Sequence, residues 1–221
     1  MIKKLIFAAL LVLFVAGTVQ AEETKPLQLA IFNPVQTVSE DQSIGGVRLS
    51  LFYTVNKDVI GLSYVFIGVN RTTGNVQGVE FGLVNWTEGY FHGLQDGLIN
   101  HAGNRFVGYQ YGLVNVTEGD FTGLQLGFVN WTEGFLHGVQ AGFVNVSKGD
   151  FIGVDLGIVN YNEGSFNGLQ GGFINYAKDM HGLQLGFVNS TKSLDGLQIG
   201  LCNYNGKKEP FEFLPIVNWS F

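Results

Sequence analysis

The chain contains little cysteine, little proline and few charged residues, and each shortage excludes a class of protein. Only one of its 221 residues is cysteine, so a disulfide framework cannot form. Charged residues make up 14%, and 12 Lys and Arg are too few for the basic surface that nucleic-acid binding requires. The 4 prolines stand beside 32 glycines and 19 phenylalanines, a mixture that favours short strands and tight turns. We therefore predict an all-β protein that binds no nucleic acid.

Long apolar runs are also scarce, and the one near the start indicates export. Lys3 and Lys4 precede an apolar run from Leu5 to Val15, and small residues lead up to Ala21. This order is typical of a secretory signal peptide, and the run is too short for a stable transmembrane helix. We predict a signal peptide over residues 1–21 and a single repeat β domain over residues 22–221.

Asparagine recurs at a nearly constant spacing through the remaining chain. The spacing is 15 residues as far as Asn175, 14 at the next two steps and 15 at the last step. The members are Asn70, Asn85, Asn100, Asn115, Asn130, Asn145, Asn160, Asn175, Asn189, Asn203 and Asn218. A short fixed period indicates stacked structural repeats, each of which contacts mainly its neighbours. We predict that these asparagines form a structural ladder.

The repeat unit suits a parallel β-solenoid, in which each 15-residue unit makes one coil. Two successive copies over residues 121–150 give the pattern Phe-x-Gly-Leu-Gln-x-Gly-Phe-Val-Asn-x-x-x-Gly-x. Identical side chains then stack about 4.8 Å apart, so a second amide ladder is expected. Its members would be Gln95, Gln110, Gln125 and Gln140. We expect a bend near the Gln-x-Gly step, with Phe121, Leu124, Phe128 and Val129 turned inward.

The end of each unit predicts a turn, and the last segment of the chain fits the same repeat. Recurrent segments such as Thr132-Glu133-Gly134 combine polar residues with glycine and predict turns. The last segment, Phe211 to Phe221, aligns with the repeat if Pro215 replaces the second glycine. We therefore expect it to form one more unit of the same kind.

An antiparallel outer-membrane β-barrel of about 12 strands is the alternative fold. Each unit would then be one strand, and each Thr-Glu-Gly segment would be a hairpin loop. The alternating apolar residues that end at Phe221 resemble the closing strand of such barrels. A protein of this kind would act as a passive pore or anchor.

Residues with catalytic or metal-binding chemistry do not form a convincing pattern. His92, His137 and His181 share a repeat position, but copies three coils apart lie too far from one another to bind one ion. Asp96 and Asp155 have no carboxylate at the equivalent position of an adjacent unit. A hydrolase would need a cleft that gathers at least two of these five residues. We predict no enzyme activity and no catalytic, cofactor-binding or metal-ligating residue.

Words such as GLQLGFVN, with PLQLAIFNPVQ near the start and FLPIVNWSF at the end, resemble a bacterial family. This family comprises exported surface-repeat proteins of spirochaetes and other double-membraned bacteria, and the resemblance covers residues 22–221. It implies association with the outer membrane or cell surface. We therefore hypothesise a non-enzymatic envelope scaffold that binds an envelope protein or polysaccharide, with the periplasm as the alternative location.

Overall fold

The computed structural model describes residues 24–207 and 211–221, and β-strand is the only regular secondary structure in them. These residues divide into two compact units, one ending at Asn104 and one beginning at Arg105. In this part of the chain, no helix has the length and apolar character needed to cross a membrane. The predicted signal peptide lies outside the described residues, and the single repeat domain over residues 22–221 stays a prediction.

In the first unit, most coils consist of two short strands. The strands are β1 (Lys25–Phe32), β2 (Val35–Gln36), β3 (Ile44–Ser50), β4 (Tyr53–Asn56), β5 (Val59–Val65), β6 (Val69–Thr72), β7 (Val76–Phe81), β8 (Val84–Thr87), β9 (Phe91–Asp96) and β10 (Ile99–Ala102). One parallel row contains β1, β3, β5, β7 and β9. A second parallel row contains β4, β6, β8 and β10, while β2 pairs antiparallel with β1.

In the second unit the strands are longer, and each of the first three spans most of one coil. The strands are β11 (Phe106–Thr117), β12 (Phe121–Thr132), β13 (Leu136–Ser147), β14 (Phe151–Asn205) and β15 (Phe213–Ser220). The pairs β11/β12, β12/β13 and β13/β14 are all parallel. Their register places Gly123 opposite Gly138 and Asn130 opposite Asn145. The strand β14 continues through several successive repeat copies without a break.

This parallel pairing confirms the β-solenoid. Successive copies align with an offset equal to the repeat, so like residues stack on like residues. The antiparallel alternative is wrong for these copies, because it would not place the same repeat position of consecutive strands side by side. The expectation for the last segment is also wrong, since β15 pairs antiparallel with β14 and places Asn218 opposite Gln198.

The two glycines of each unit have different structural roles. Gly123 has φ of +136°, and a Cβ there would lie 1.9 Å from the carbonyl oxygen of Gly108. A Cβ on Gly127 would lie 2.6 Å from Asn115 Nδ2. The first glycine therefore permits the positive φ and the close approach of the neighbouring coil, and the second leaves room for the amide ladder.

The expected bend near the Gln-x-Gly step is confirmed. In the first unit the backbone bends at Gly82 and Gly97, which are the second glycines of their coils. In β12 the buried side of the strand switches between Gln125 and Asn130.

The interior of each coil is largely polar. Phe121, Gln125, Asn130 and Thr132 mark the four buried positions in β12, and β11 and β13 repeat the same burial pattern. Phe128 is 54% exposed, so the prediction that it turns inward is wrong. Leu124 and Val129 are only half-buried. Because successive side chains on a strand point to opposite faces, burial of Gln125 directs Leu124 and Leu126 outward.

Candidate functional site

A column of buried asparagines runs through each unit. Asn130 Nδ2 donates to the carbonyl oxygen of Ala141 at 2.9 Å and to Asn145 Oδ1 at 2.8 Å. Asn70 and Asn85 make the equivalent pair of bonds in the first unit. In the second unit the same pair recurs at Asn115, Asn145, Asn160, Asn175 and Asn189. Each side-chain amide thus hydrogen-bonds to the asparagine of the next coil, and these bonds offset the free-energy cost of burying the amide.

A second buried column, of glutamines, lies beside the asparagines in the second unit. Gln125 Nε2 donates to Gln110 Oε1 at 2.8 Å, and Gln140 Nε2 donates to Gln125 Oε1 at 2.7 Å. The hydroxyl of Thr132 also donates to Gln125 Oε1 at 3.4 Å. Glutamines donate toward the preceding coil, whereas asparagines donate toward the following coil. The two ladders therefore have opposite hydrogen-bond directions.

Asp155 replaces glutamine in this column and is buried. Its register partner in the preceding coil is Gln140, and its Oδ1 accepts a 2.8 Å hydrogen bond from Asn145 Nδ2. Burial raises the pKa of Asp155 to about 7, although hydrogen bonds from Gln170 and Asn145 favour the ionised form. No basic side chain forms an ion pair with it among the described residues. Asp155 is therefore a buried proton-binding group inside the ladder.

The corresponding column of the first unit contains a buried ion pair. Arg48, Ser63, Glu80 and Gln95 occupy successive positions in register. Arg48 Nη2 lies 2.9 Å from Glu80 Oε1, and both side chains are fully buried. Arg48 Nε donates to the hydroxyl of Ser63 at 2.7 Å, and Gln95 Nε2 donates to Glu80 Oε2 at 3.1 Å. The charged pair thus takes the place of amide bonds across three coils.

Burial favours the neutral form of both members of this pair and shifts their pKa values accordingly. Desolvation lowers the pKa of Arg48 to about 10, against the attraction of Glu80. Desolvation likewise raises the pKa of Glu80, and Arg48 and Gln95 act against that rise. An arginine with this pKa stays charged at neutral pH, so Glu80 must remain its counter-ion.

The ladder residues predicted from the sequence occupy three kinds of place. All of them are fully buried. Asn203 donates to the carbonyl oxygen of Gly200 at 2.8 Å, at the end of its column. Asn218 lies opposite Gln198 because β15 is antiparallel, so it does not extend the asparagine column.

The candidate chemical residues are not gathered into one site within either unit. His137 and His181 are exposed, whereas Asp155 is buried. In β9, His92 and Asp96 lie four residues apart, which is about 13 Å along a strand. Within the described ranges, no group of three His, Cys, Asp or Glu side chains is placed to hold a metal ion. The exposed turn acids Glu88 and Glu133 form surface ion pairs with Arg71 and Lys148.

The outer surface of the second unit carries two sets of apolar columns. The first set, here called the apolar face, comprises three columns that run from Tyr109 to Leu197, from Tyr111 to Ile199 and from Leu113 to Leu201, one residue per coil. The second set, here called the aromatic column, contains Trp131, Tyr161, Tyr176 and Tyr204. The rings of Tyr161 and Tyr176 stack with centroids 4.9 Å apart. The single cysteine, Cys202, is half-buried.

Comparisons of the chain with protein-family models, with curated proteins and with solved structures give no match. The geometry alone therefore describes the site. Sequence reasoning missed the ion pair of Arg48 and Glu80. The signal was present, because each lies two residues after a coil glycine, as Gln125 does after Gly123.

Proposed function

We propose that the protein is a non-enzymatic scaffold of the cell envelope, located at the outer membrane or cell surface. The proposal rests on one observation: the polar side chains of the interior hydrogen-bond to one another. Asn130, Gln125 and their equivalents are buried and bonded to one another, so they offer no groups to a substrate. The exposed side chains instead repeat from coil to coil, which suits repeated contact with an extended partner.

The partner is an envelope protein or polysaccharide, and the aromatic column favours polysaccharide. Tyr and Trp combine a broad apolar ring with a polar group, so they pack against a sugar ring and bond to its hydroxyls. Tyr161 and Tyr176 present this chemistry at the spacing of the coils. The acidic net charge of -6 makes an uncharged or cationic polysaccharide more suitable than a polyanion.

Cell fractionation tests the location. We expect the mature chain, cleaved after Ala21, in the envelope fraction, and we expect carbonate washing to release it. A variant that lacks residues 2–21 is the control and should stay in the cytoplasm. Cytoplasmic retention of the full chain would refute the proposal, as would an envelope form that only detergent extracts.

Binding to purified envelope polysaccharide tests the partner. We expect the mature protein to co-sediment with the polymer and the double variant Tyr161→Ala/Tyr176→Ala to lose most of that binding. Phe135→Ala is a matched control, because Phe135 is an exposed aromatic residue outside this column. Equal loss in the control and the double variant would contradict a role for the aromatic column.

A further inference from the structure

The apolar face of the second unit contains no charged side chain. Each of its three columns continues through seven coils, and all its members are aliphatic, aromatic, alanine or glycine residues. Phe128, Phe143 and Phe173 are 54%, 45% and 53% exposed. Contiguous apolar surfaces of this kind mark interaction sites in soluble proteins.

The apolar face has a regular pattern of raised and recessed side chains. The rings of Phe128 and Phe143 stack with centroids 4.7 Å apart, and those of Phe173 and Phe187 with centroids 4.8 Å apart. The neighbouring column carries small residues beside two of these rings, at Ala141 and Gly171. Two stacked phenylalanine pairs, separated by Ile158, thus form a ridge beside a column with two recesses.

The antiparallel strand β15 extends the face by one strand. Trp219 lies opposite Leu197, and Val217 lies opposite Ile199. Residues directly opposite in an antiparallel pair point to the same side of the sheet. Trp219 is 52% exposed there, so the edge strand adds apolar area to the same surface.

We propose that the apolar face is the contact surface between two copies of this chain, packed sheet against sheet. Eight strands about 4.8 Å apart, each contributing five residues of about 3.3 Å, give roughly 600 Å² on each copy. Two such faces bury about 1,200 Å² in total, which reaches the lower bound of stable protein interfaces. Stacked sheets pack about 10 Å apart, a distance that side chains from both copies fill.

A second copy fits this surface better than a bilayer does. The ridges repeat at the spacing of the coils, so they pack best against a surface with the same spacing. A second copy of the chain has that spacing. The chain has a net charge of -6, so no excess of basic residues attracts it to anionic lipid. The face itself carries no charge that pairing would bury.

Sedimentation equilibrium of the purified mature chain is the test, with Phe143→Lys as the disrupting variant. We expect the unaltered protein to be a dimer that dissociates on dilution and Phe143→Lys to weaken the dimer by at least tenfold. Phe135→Lys introduces the same change outside the face and should leave the dimer intact. Circular dichroism and the urea midpoint establish that both variants are folded, and Phe173→Lys replaces Phe143→Lys if the latter is not.

Three results would overturn the proposal. The first is an unaltered protein that stays monomeric at every concentration. The second is a dimer that the face variants leave unchanged, because its contact surface then lies elsewhere. The third is a monomer that binds phosphatidylcholine vesicles and loses that binding on Phe143→Lys, which assigns the face to lipid. Each result concerns the purified protein and does not depend on its location in the cell.

Discussion

Replacing Asp155 with glutamine tests whether the buried column prefers uncharged hydrogen-bonding groups. Burial raises the pKa of this carboxyl to about 7 from its ordinary 3.8. Between these pH values the folded chain holds a proton that the unfolded chain has released, so the free energy of unfolding falls as pH rises. The two pKa values correspond to a loss of about 4 kcal/mol that is complete above about pH 7.

Glutamine in this place should remove the loss, because it carries no charge and suits the column. Gln140 and Gln170 lie in the adjacent coils, so a glutamine between them continues the ladder. We expect Asp155→Gln to match the unaltered protein near pH 4 and to exceed its free energy of unfolding by about 4 kcal/mol near pH 8. Urea unfolding across this pH range, followed by circular dichroism, measures the difference.

The control removes an acidic group from the surface. Glu163 is exposed in the same strand, and Glu163→Gln should change the pH dependence little. Because Glu80 is present in every variant, its own titration cancels when two variants are compared. A gap between Asp155→Gln and the unaltered protein that is the same at both pH values would refute the reasoning.

Three further substitutions probe the coil, each by urea unfolding of the purified protein. Asn130→Ala should lower the free energy of unfolding by about 2–4 kcal/mol, because it leaves the bonded groups of two adjacent coils without their partner. Gly123→Ala should cost at least 3 kcal/mol or so, since its φ is positive and a Cβ would meet a carbonyl oxygen, whereas Gly171→Ala should be nearly neutral. Glu80→Gln should cost about 3–5 kcal/mol because it leaves the charge of Arg48 buried without a counter-ion.

Matched changes give each of these results its control. Asn167 is exposed, so Asn167→Ala should have little effect, and a loss equal to that of Asn130→Ala would contradict the ladder. Equal effects at Gly123 and Gly171 would contradict the close approach of the coils. The double variant Arg48→Met/Glu80→Leu should recover most of the stability lost in Glu80→Gln, because it buries no unpaired charge. If the double variant stays as unstable as Glu80→Gln, the loss in Glu80→Gln does not come from the unpaired charge of Arg48.

The register of the fold could be predicted from the sequence because the spacing of asparagine fixes it. Parallel coils use the constant offset between Asn130 and Asn145 to stack like residues on like residues, but the same spacing also allowed the antiparallel barrel. The division between inside and outside could not be predicted in the same way. Apolar side chains are ordinarily buried, yet Phe128 is exposed and Asn130 is buried. Hydrogen bonds between coils offset the burial of the amide, and they become visible only when the neighbouring coil is present.

The direction of β15 escaped prediction for a related reason. This segment retains the asparagine of the repeat at Asn218. Phe211, however, stands at the position where the other units have their first glycine. Ile216 has φ of +69°, opposite Gly200, where the register between β14 and β15 shifts. The strand thus covers the edge of the last coil in the reverse direction, and spacing alone contains no information on strand direction.

The opposed hydrogen-bond directions of the two amide columns have an electrostatic consequence for the number of coils. In one column each amide dipole points toward the chain start, and in the other it points toward the chain end. Their fields largely cancel, so the stack does not carry the opposite partial charges that the aligned peptide dipoles of an α-helix leave at its two ends. A copy can therefore be gained or lost without changing this balance, because a coil such as β12 adds one amide to each column.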